Sequence, residues 1–404
     1  MRIGISTSVI QRGQTGIAQY VFALLRSLQA FSEKNKFILF VLEEDVPLFS
    51  FAGNMQIVVV PEKFRSPVDN ILWHQTVLPG LARKLRLDVL HIPSYRRMLW
   101  PRPCALVSTI HDLAPFRVAR KYDWRRMFYG RVVARILAHR QDDIIAISRN
   151  TAQDIAKYFR VPPARMTVIH NGLEHSRFFP GDRAEAKARL AASTGIDAPF
   201  FLYVARLEHP AKNHVRLVEA FNRFKAQTGL NWKLVLGGSD WHGSEAIHQA
   251  IESSPYVSEI RSLGFVLDRD VPNLYRAADV FAYPSLYEGF GMPPVEAMAC
   301  GCPVICSTRG SLGEVVGQAA SIVDPEDPDS IKSAMVRLAT DSAAREALRA
   351  EGLSRARCFD WDKTAVATFN TYLGAAKKSK TNRLLLSREM PPWMEQAGHP
   401  RRQT

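Results

Sequence analysis

Two glutamates, Glu288 and Glu296, bracket a stretch of glycine and proline, Glu-Gly-Phe-Gly-Met-Pro-Pro-Val-Glu. Residues 279–285 before it make an apolar strand and 286–292 a loop, while Pro293 and Pro294 suit a first helical turn, where a missing N–H costs little. Glu288 then lies on the loop and Glu296 in the first turn. Carboxylates accept hydrogen bonds from hydroxyls, and Gly289 and Gly291 keep backbone N–H groups accessible. A favourable helix dipole would account for Glu296 but leaves Glu288 unexplained. Two cations stand elsewhere in the chain. Arg206 ends an apolar run, and Lys212 precedes a helix that Asn213 is placed to cap. Charges beside a helix N-terminus suit a diphosphate, because fixed cations and backbone donors converge on the same oxygens. Carboxylates for hydroxyls and cations for phosphates together make a set able to hold a sugar nucleotide.

Two further places bear on this set. His111-Asp112 follows the apolar run 105–110, where polar side chains point into a cleft; a satisfied structural histidine is equally compatible. Gly13-Gln14-Thr15-Gly16-Ile17 lies between the opening strand and the first helix, where glycine lets a ligand approach backbone N–H groups. A tight turn explains that glycine as well, and the dinucleotide pattern G-x-G-x-x-G is absent. Cys300, Cys302 and Cys306 sit among Ala, Pro, Val and Ile with no fourth ligand near. They read as buried small hydrophobes rather than metal ligands.

The elements that must position these residues alternate from end to end. Strands are expected at 2–7, 37–42, 56–60, 88–92, 105–110, 143–147 and 166–170. A second series follows at 200–205, 233–237, 260–264, 279–283, 303–306 and 320–323. Helices lie between them, as at 16–29, with Ile17, Val21, Leu24, Leu25 and Leu28 on one face, and at 214–227. Buried β-branched runs alternating with helices imply α/β architecture: parallel sheets covered on both faces. The series breaks near 171–180, giving two doubly wound, Rossmann-like domains. We place the first at 1–172 and the second at 173–360. A helix at 361–376 returns toward the first domain, and a basic, mobile tail fills 377–404. Two such sheets meet across a cleft, and ligands bind at the carboxyl ends of the strands.

At 404 residues, two domains are the prior expectation. No apolar run is long enough to cross a bilayer, and the charged start ends too early for a signal peptide. Five unpatterned cysteines fit a reducing cytoplasm. The net charge of +14 is uneven: residues 1–172 carry +13, 173–374 carry −4 and 375–404 carry +5. Segment 89–141 alone holds 11 basic and 2 acidic residues. Such a surface faces phosphates, of nucleic acid or of anionic lipid. Trp100, Trp124, Phe128 and Tyr129 stand among its cations, which include Arg125, Arg126 and Arg131. That mixture suits headgroups and the acyl boundary.

With these residues in view, the chain resembles the retaining glycosyltransferases of family 4, which have the GT-B fold, over roughly residues 1–375. Glu288 to Glu296 matches the family's E-x7-E pattern. Thr15-Gly16, His111-Asp112, Ser148, His170-Asn171-Gly172, Arg206 with Lys212, and Ala-Cys-Gly-Cys-Pro-Val-Ile at 299–305 support it in order. The resemblance implies that Arg206 and Lys212 bind the donor diphosphate and stabilise it as it leaves. It gives Glu288 the hydroxyls of the transferred sugar and Glu296 those of the ribose. Gly289, Phe290 and Gly291 join the donor-binding loop, His111 lies near the anomeric centre, and Gly16 lets the first loop close over the phosphates. Where the family usually has Gly-Gly, this chain has Thr15-Gly16, a variant resembling mannosyl- and rhamnosyltransferases of surface polysaccharides such as lipopolysaccharide.

The reaction so implied is metal-independent and uses no cofactor. Its substrates are a nucleotide-diphosphate sugar, with GDP-mannose favoured, and a saccharide acceptor, expected to be lipid-linked. The enzyme is expected in the cytoplasm, peripherally on the anionic inner face of the cell membrane, with no nucleic-acid partner. A sugar-nucleotide 2-epimerase of the same fold is the nearest alternative, but it uses other acid–base carboxylates. A nucleic-acid-binding module is suggested by the charge and by Tyr95, Phe116 and Tyr122 besides the aromatics above, yet no familiar pattern of that class appears. An inactive binding protein of this fold is disfavoured by intact Arg206, Lys212 and Glu288.

Overall fold

The computed structural model describes residues 1–13, 15–117 and 128–388, without the side chains at 380 and 382–388. Gln14, the stretch with Tyr122, Trp124, Arg125 and Arg126, and the tail from 389 lie outside the described residues.

Strands form at each apolar run singled out above. The first sheet contains β1 (Arg2–Ser6), β2 (Lys36–Leu42), β3 (Gln56–Val60), β4 (Val89–Ile92), β5 (Ala105–Ile110), β6 (Asp143–Ala146) and β7 (Met166–Val168). The second contains β8 (Phe200–Val204), β9 (Lys233–Gly237), β10 (Ile260–Gly264), β11 (Val280–Tyr283), β12 (Val304–Ser307) and β13 (Ser321–Val323). All pairings are parallel. The orders are β3-β2-β1-β4-β5-β6-β7 and β10-β9-β8-β11-β12-β13. Central strands such as Ala105–Ile110 are buried along their whole length because helices cover both faces. Each fully buried Val, Leu or Ile there contributes about 1.5–3 kcal/mol.

Strand order reverses direction between β1 and β4 in one sheet and between β8 and β11 in the other. At such switch points the loops diverge and leave a crevice outside the carboxyl ends. The β8 and β11 exits carry Lys212 and Glu288, so topology alone brings residues far apart in sequence to one crevice.

Chain crossings tie the two halves. At the linker, Leu173 bridges Asp360, and a Cβ on Gly172 would lie 2.3 Å from the Trp361 nitrogen, so only glycine fits beneath the returning chain. The final helix, Trp361–Arg388, packs on the Gly16–Leu28 helix and on β5. Phe369 stacks on Phe31 with centroids 4.4 Å apart, and the Tyr372 hydroxyl is hydrogen-bonded to the buried His91 Nδ1 at 2.7 Å. This helix continues past residue 376, the boundary expected from sequence. Lys378 reaches Asp143 at 3.4 Å, extending its contact with the first domain.

Candidate active site

β8 and β11 are neighbours, with Val280 paired to Phe201, so their exit loops leave side by side. Lys212 is fixed through its backbone: the Tyr203 hydroxyl donates to its carbonyl at 2.7 Å. Asn213 makes no capping bond. Its backbone takes φ 65°, and its amide donates to the carbonyls of Pro284 (2.9 Å) and Pro325 (2.6 Å). The left-handed conformation, which Asn tolerates, turns the side chain toward the β11 exit and away from the helix N–H groups. The expected cap is thus replaced by a clamp joining the two loops.

Across that clamp Lys212 Nζ lies 2.6 Å from Glu288 Oε1. Tyr283 and Ser285 donate to the same oxygen at 2.7 and 2.9 Å. Among the described residues all three donors converge on Oε1 and none is found at Oε2, so one oxygen is saturated and the other keeps its capacity to accept. The pair is mostly enclosed, with side-chain exposures of 19% for Lys212 and 13% for Glu288. Burial alone would raise the Glu288 carboxyl; Lys212, Tyr283 and Ser285 outweigh it and hold the group below its ordinary value. Glu288 is therefore a fixed anion.

The rest of the loop is shaped by close approach. Gly310 packs on the Glu288 backbone, where a Cβ would sit 2.5 Å from the Glu288 carbonyl oxygen. Ser311 Oγ donates to the carbonyls of Glu288 (3.0 Å) and Phe290 (2.7 Å). Gly291 takes φ 98°, a conformation glycine supplies without strain. Gly289 meets the first domain: a Cβ there would lie 2.2 Å from the His111 carbonyl oxygen. Its own carbonyl accepts from Ser148 (2.9 Å) and Thr151 (3.3 Å). Phe290 is a departure from expectation on its side chain. The ring is 4% exposed and packs against His170 and Phe359, so it serves the interdomain core.

Glu296 lies in the second turn of the Met292–Ala299 helix, not the first, which removes the helix dipole as its explanation. Tyr275 donates to its Oε2 at 3.1 Å. Burial pushes its carboxyl up to about 7, opposed by that hydrogen bond and by Arg177. Arg206 is exposed at the β8 exit, its guanidinium 4.6 Å over the Trp241 ring. The structure therefore joins Lys212 to Glu288 and leaves Arg206 outside that hydrogen-bonded group.

His111 stands at the β5 exit with its ring edge-on to Tyr20, centroids 4.7 Å apart. Burial lowers its pKa to about 4, against Asp112 and a hydrogen bond to the Pro93 backbone. Nε2 is buried and has no partner. A neutral imidazole with an orphaned nitrogen carries a cost that a ligand group would relieve. Gly16 opens the first helix, behind the Thr15 cap on Ala18, and a Cβ on it would meet nothing within 4 Å. Its φ is not left-handed either, so the turn itself does not demand glycine.

Sequence reasoning missed an interdomain clasp. Glu314, in the second domain, accepts from the backbone nitrogens of Arg149 (2.8 Å) and Asn150 (3.3 Å) and lies 2.5 Å from His170 Nε2. Burial opposes its charge, but His170 and these N–H groups hold its carboxyl low. Tyr287 donates to Asp154 at 3.0 Å, and Asp154 is paired with Arg117. The buried cysteines 300, 302 and 306 sit in the second core, as their neighbours in sequence implied.

Residues 14–177 match the family model "Glycosyltransferase Family 4", and residues 187–355 match "Glycosyl transferases group 1". The chain is 30% identical over 392 residues to O-antigen chain mannosyltransferase B of Escherichia coli, spanning 92% of this chain and 99% of that protein. In fold it is similar to the sucrose-phosphate synthase of Thermosynechococcus elongatus, with a TM-score of 0.76 at 22% identity, covering 94% of this chain and 100% of the other. It is also similar to Anabaena HepE in complex with UDP and glucose, with a TM-score of 0.72 at 19% identity over 93% and 100% of the two chains. Two parallel-sheet domains meeting at their switch points, joined to these matches along nearly the whole chain, establish that the protein belongs to the family 4 glycosyltransferases of GT-B fold.

Proposed function

We propose that the chain transfers a hexose, with retention of configuration and without a metal, from a nucleotide-diphosphate sugar to a lipid-linked saccharide. The donor we favour is GDP-mannose, which agrees with the name of its Escherichia coli relative, a mannosyltransferase of an O-antigen chain. The observation that carries the reading is the Glu288 carboxylate. Lys212, Tyr283 and Ser285 anchor Oε1, and Oε2 is left to accept a hydroxyl of the transferred sugar. Lys212 passes from Glu288 to a phosphate oxygen when the donor binds. With Arg206 it compensates the negative charge that grows on the departing diphosphate, and such electrostatic stabilisation is the main catalytic contribution. Glu296 takes the ribose hydroxyls, and the open backbone at Gly16 lies against the phosphates. His111 presents Nε2 to the transferred sugar near its anomeric carbon.

The first-domain surface supports peripheral attachment to anionic membrane. Trp100, Phe128, Val132 and Ile136 are exposed there. Trp100, Val132, Ile136, Arg131, Arg135 and Arg140 line a hollow of about 650 Å³. Arg140 lies 4.4 Å over the Trp100 ring. Apolar side chains ringed by arginine suit an interface of headgroups and acyl chains. Among the described residues no helix is long and apolar enough to cross a membrane.

Four measurements test the proposal. Turnover of a panel of nucleotide sugars, with and without EDTA, identifies the donor and any metal need. NMR of the product reports its anomeric configuration. Glu288→Gln is expected to cut turnover by about 10²-fold or more, a few kcal/mol of barrier, while GDP still binds. Near-wild-type turnover in that variant removes Glu288 from the site. Co-sedimentation with vesicles of rising anionic content tests attachment; binding unaffected by Arg131→Glu and by lipid charge refutes it.

A further inference from the structure

The exits of β1, β4 and β5 lie together on the cleft-facing edge of the first sheet, and a second polar cluster is built there beside His111. The Asn70 carbonyl oxygen of the side chain receives Arg97 Nε, and Ser8 Oγ lies 3.5 Å from it. Ser8 is 3.3 Å from Ser6, whose hydroxyl is 2.9 Å from His74 Nε2. His74 Nδ1 donates to the Asn70 backbone carbonyl at 2.7 Å, and the Asn70 amide donates to Phe64 at 3.0 Å. Ser6, Ser8, Asn70 and His74 are all buried. Ser8, His74 and Phe64 contact Asn70 directly, Ser6 bridges Ser8 and His74, and Asn70 in turn holds the guanidinium.

Arg97 itself is short of partners. Among the described residues, besides Asn70 it has only a long contact, 3.4 Å, from one terminal nitrogen to the Arg96 carbonyl. A guanidinium has five N–H donors in a rigid fork suited to a phosphate or carboxylate. Among the described residues no carboxylate lies within ion-pairing distance of Arg97. Burial pulls its pKa down to about 10, and the neighbouring Arg96 adds to that effect, with Tyr129 opposing it. A desolvated cation beside a like charge and without an anion is a costly arrangement for the unliganded fold. An oxyanion would relieve both costs.

We propose that Arg97, oriented by Asn70, forms an oxyanion subsite for a phosphate group of the acceptor. Its place fits that role. β4 and β5 are paired up to Ile92 and Ser108, and the Pro93 backbone on the Arg97 loop is also the partner of His111. A phosphate held by Arg97 therefore sits in the acceptor half of the cleft, on the same edge of the first sheet as His111. The inference rests on the transferase reading above and narrows the acceptor to phosphorylated saccharides. The phosphate belongs to a saccharide diphosphate, as in a lipid-linked carrier, or to a sugar phosphate monoester.

The test uses the full chain with its donor site filled by saturating GDP, and titrates inorganic pyrophosphate and mannose 6-phosphate by calorimetry. At least one is expected to bind the wild type, and the tighter of the two indicates the source of the phosphate. Arg97→Gln should weaken that binding tenfold or more. Arg97→Lys, which keeps the charge and loses the fork, should fall between. Affinity for GDP measured first reports separately on the donor reading, so its failure is not confused with failure of the subsite. Absence of binding by the wild type, or equal affinities in all three proteins, overturns the proposal.

Discussion

Glu296 makes the donor half of the cleft pH-sensitive in a way that can be worked through. Its carboxyl is raised to about 7, whereas Glu288 is held low and His111 titrates at about 4. Between pH 6 and 8, then, Glu288 stays ionised, His111 stays neutral, and Glu296 changes charge. If ribose hydroxyls donate to the Glu296 carboxylate, the ligand binds the ionised form. With a pKa near 7, about one molecule in eleven is ionised at pH 6 and ten in eleven at pH 8. GDP affinity should accordingly rise about tenfold across that range through Glu296 alone. The phosphates of GDP titrate too, but they do so identically with Glu296→Gln, so the ratio of the two proteins isolates the side chain.

The same shift predicts the behaviour of the unliganded fold. A folded-state pKa above the ordinary carboxyl value of 4.5 means that the native protein binds more protons than the unfolded chain between about 4.5 and 7. Stability contributed by the neutral form is complete below that window and is lost as pH rises through it. The loss amounts to at most about 3.5 kcal/mol, since each pKa unit is about 1.4 kcal/mol. Glu296→Gln should remove this decline, leaving a variant more stable than wild type at pH 8 and similar at pH 4. Calorimetric titrations of GDP at pH 6, 7 and 8, together with chemical denaturation at pH 4, 6 and 8, supply both readouts. Parallel pH profiles for the two proteins in binding would refute the ribose role, and parallel profiles in stability would refute the raised pKa.

Removing the cations should separate their roles. Lys212→Ala and Arg206→Ala should each weaken GDP by about 1.5–3 kcal/mol per charged hydrogen bond lost, and guanosine far less, by calorimetry. Only the Lys212 variant should also lower the melting temperature, because it strands the Glu288 carboxylate, whereas Arg206 pairs with no carboxylate among the described residues. Gly289→Ala should push the two domains apart, since its Cβ would lie 2.2 Å from the His111 carbonyl oxygen; a larger radius of gyration by X-ray scattering and a loss of turnover are expected. Glu314→Ala should loosen the same junction by removing the acceptor for Arg149 and Asn150. Faster hydrogen exchange at those two amides, with unchanged exchange in β8 to β13, is the expected signature.

What the sequence made legible, and what it did not, follows from the range of the interactions involved. The central strands were visible because burial on both faces writes an apolar run into consecutive residues. The edge strands β3, β7, β10 and β13 keep exposed positions and were read from their β-branched and apolar runs between helices. Glu288, Gly291 and Glu296 were visible because one loop and one helix carry them, so their spacing is itself the geometry. Asn213 misled because its cap signal is local, while the two prolyl carbonyls that claim its amide come from residues 71 and 112 positions away. Phe290 misled for a similar reason: an aromatic in a ligand loop looks available until Phe359 and His170 close over it. Glu314 carried no signal, since its partners Arg149, Asn150 and His170 lie 165, 164 and 144 residues upstream, and the first two offer only backbone N–H groups, which any sequence would supply. The donor half of the cleft is thus encoded in short motifs. The junction with the acceptor half depends on how two separately folded sheets meet, and its residues become recognisable only once Gly289 is seen lying against His111.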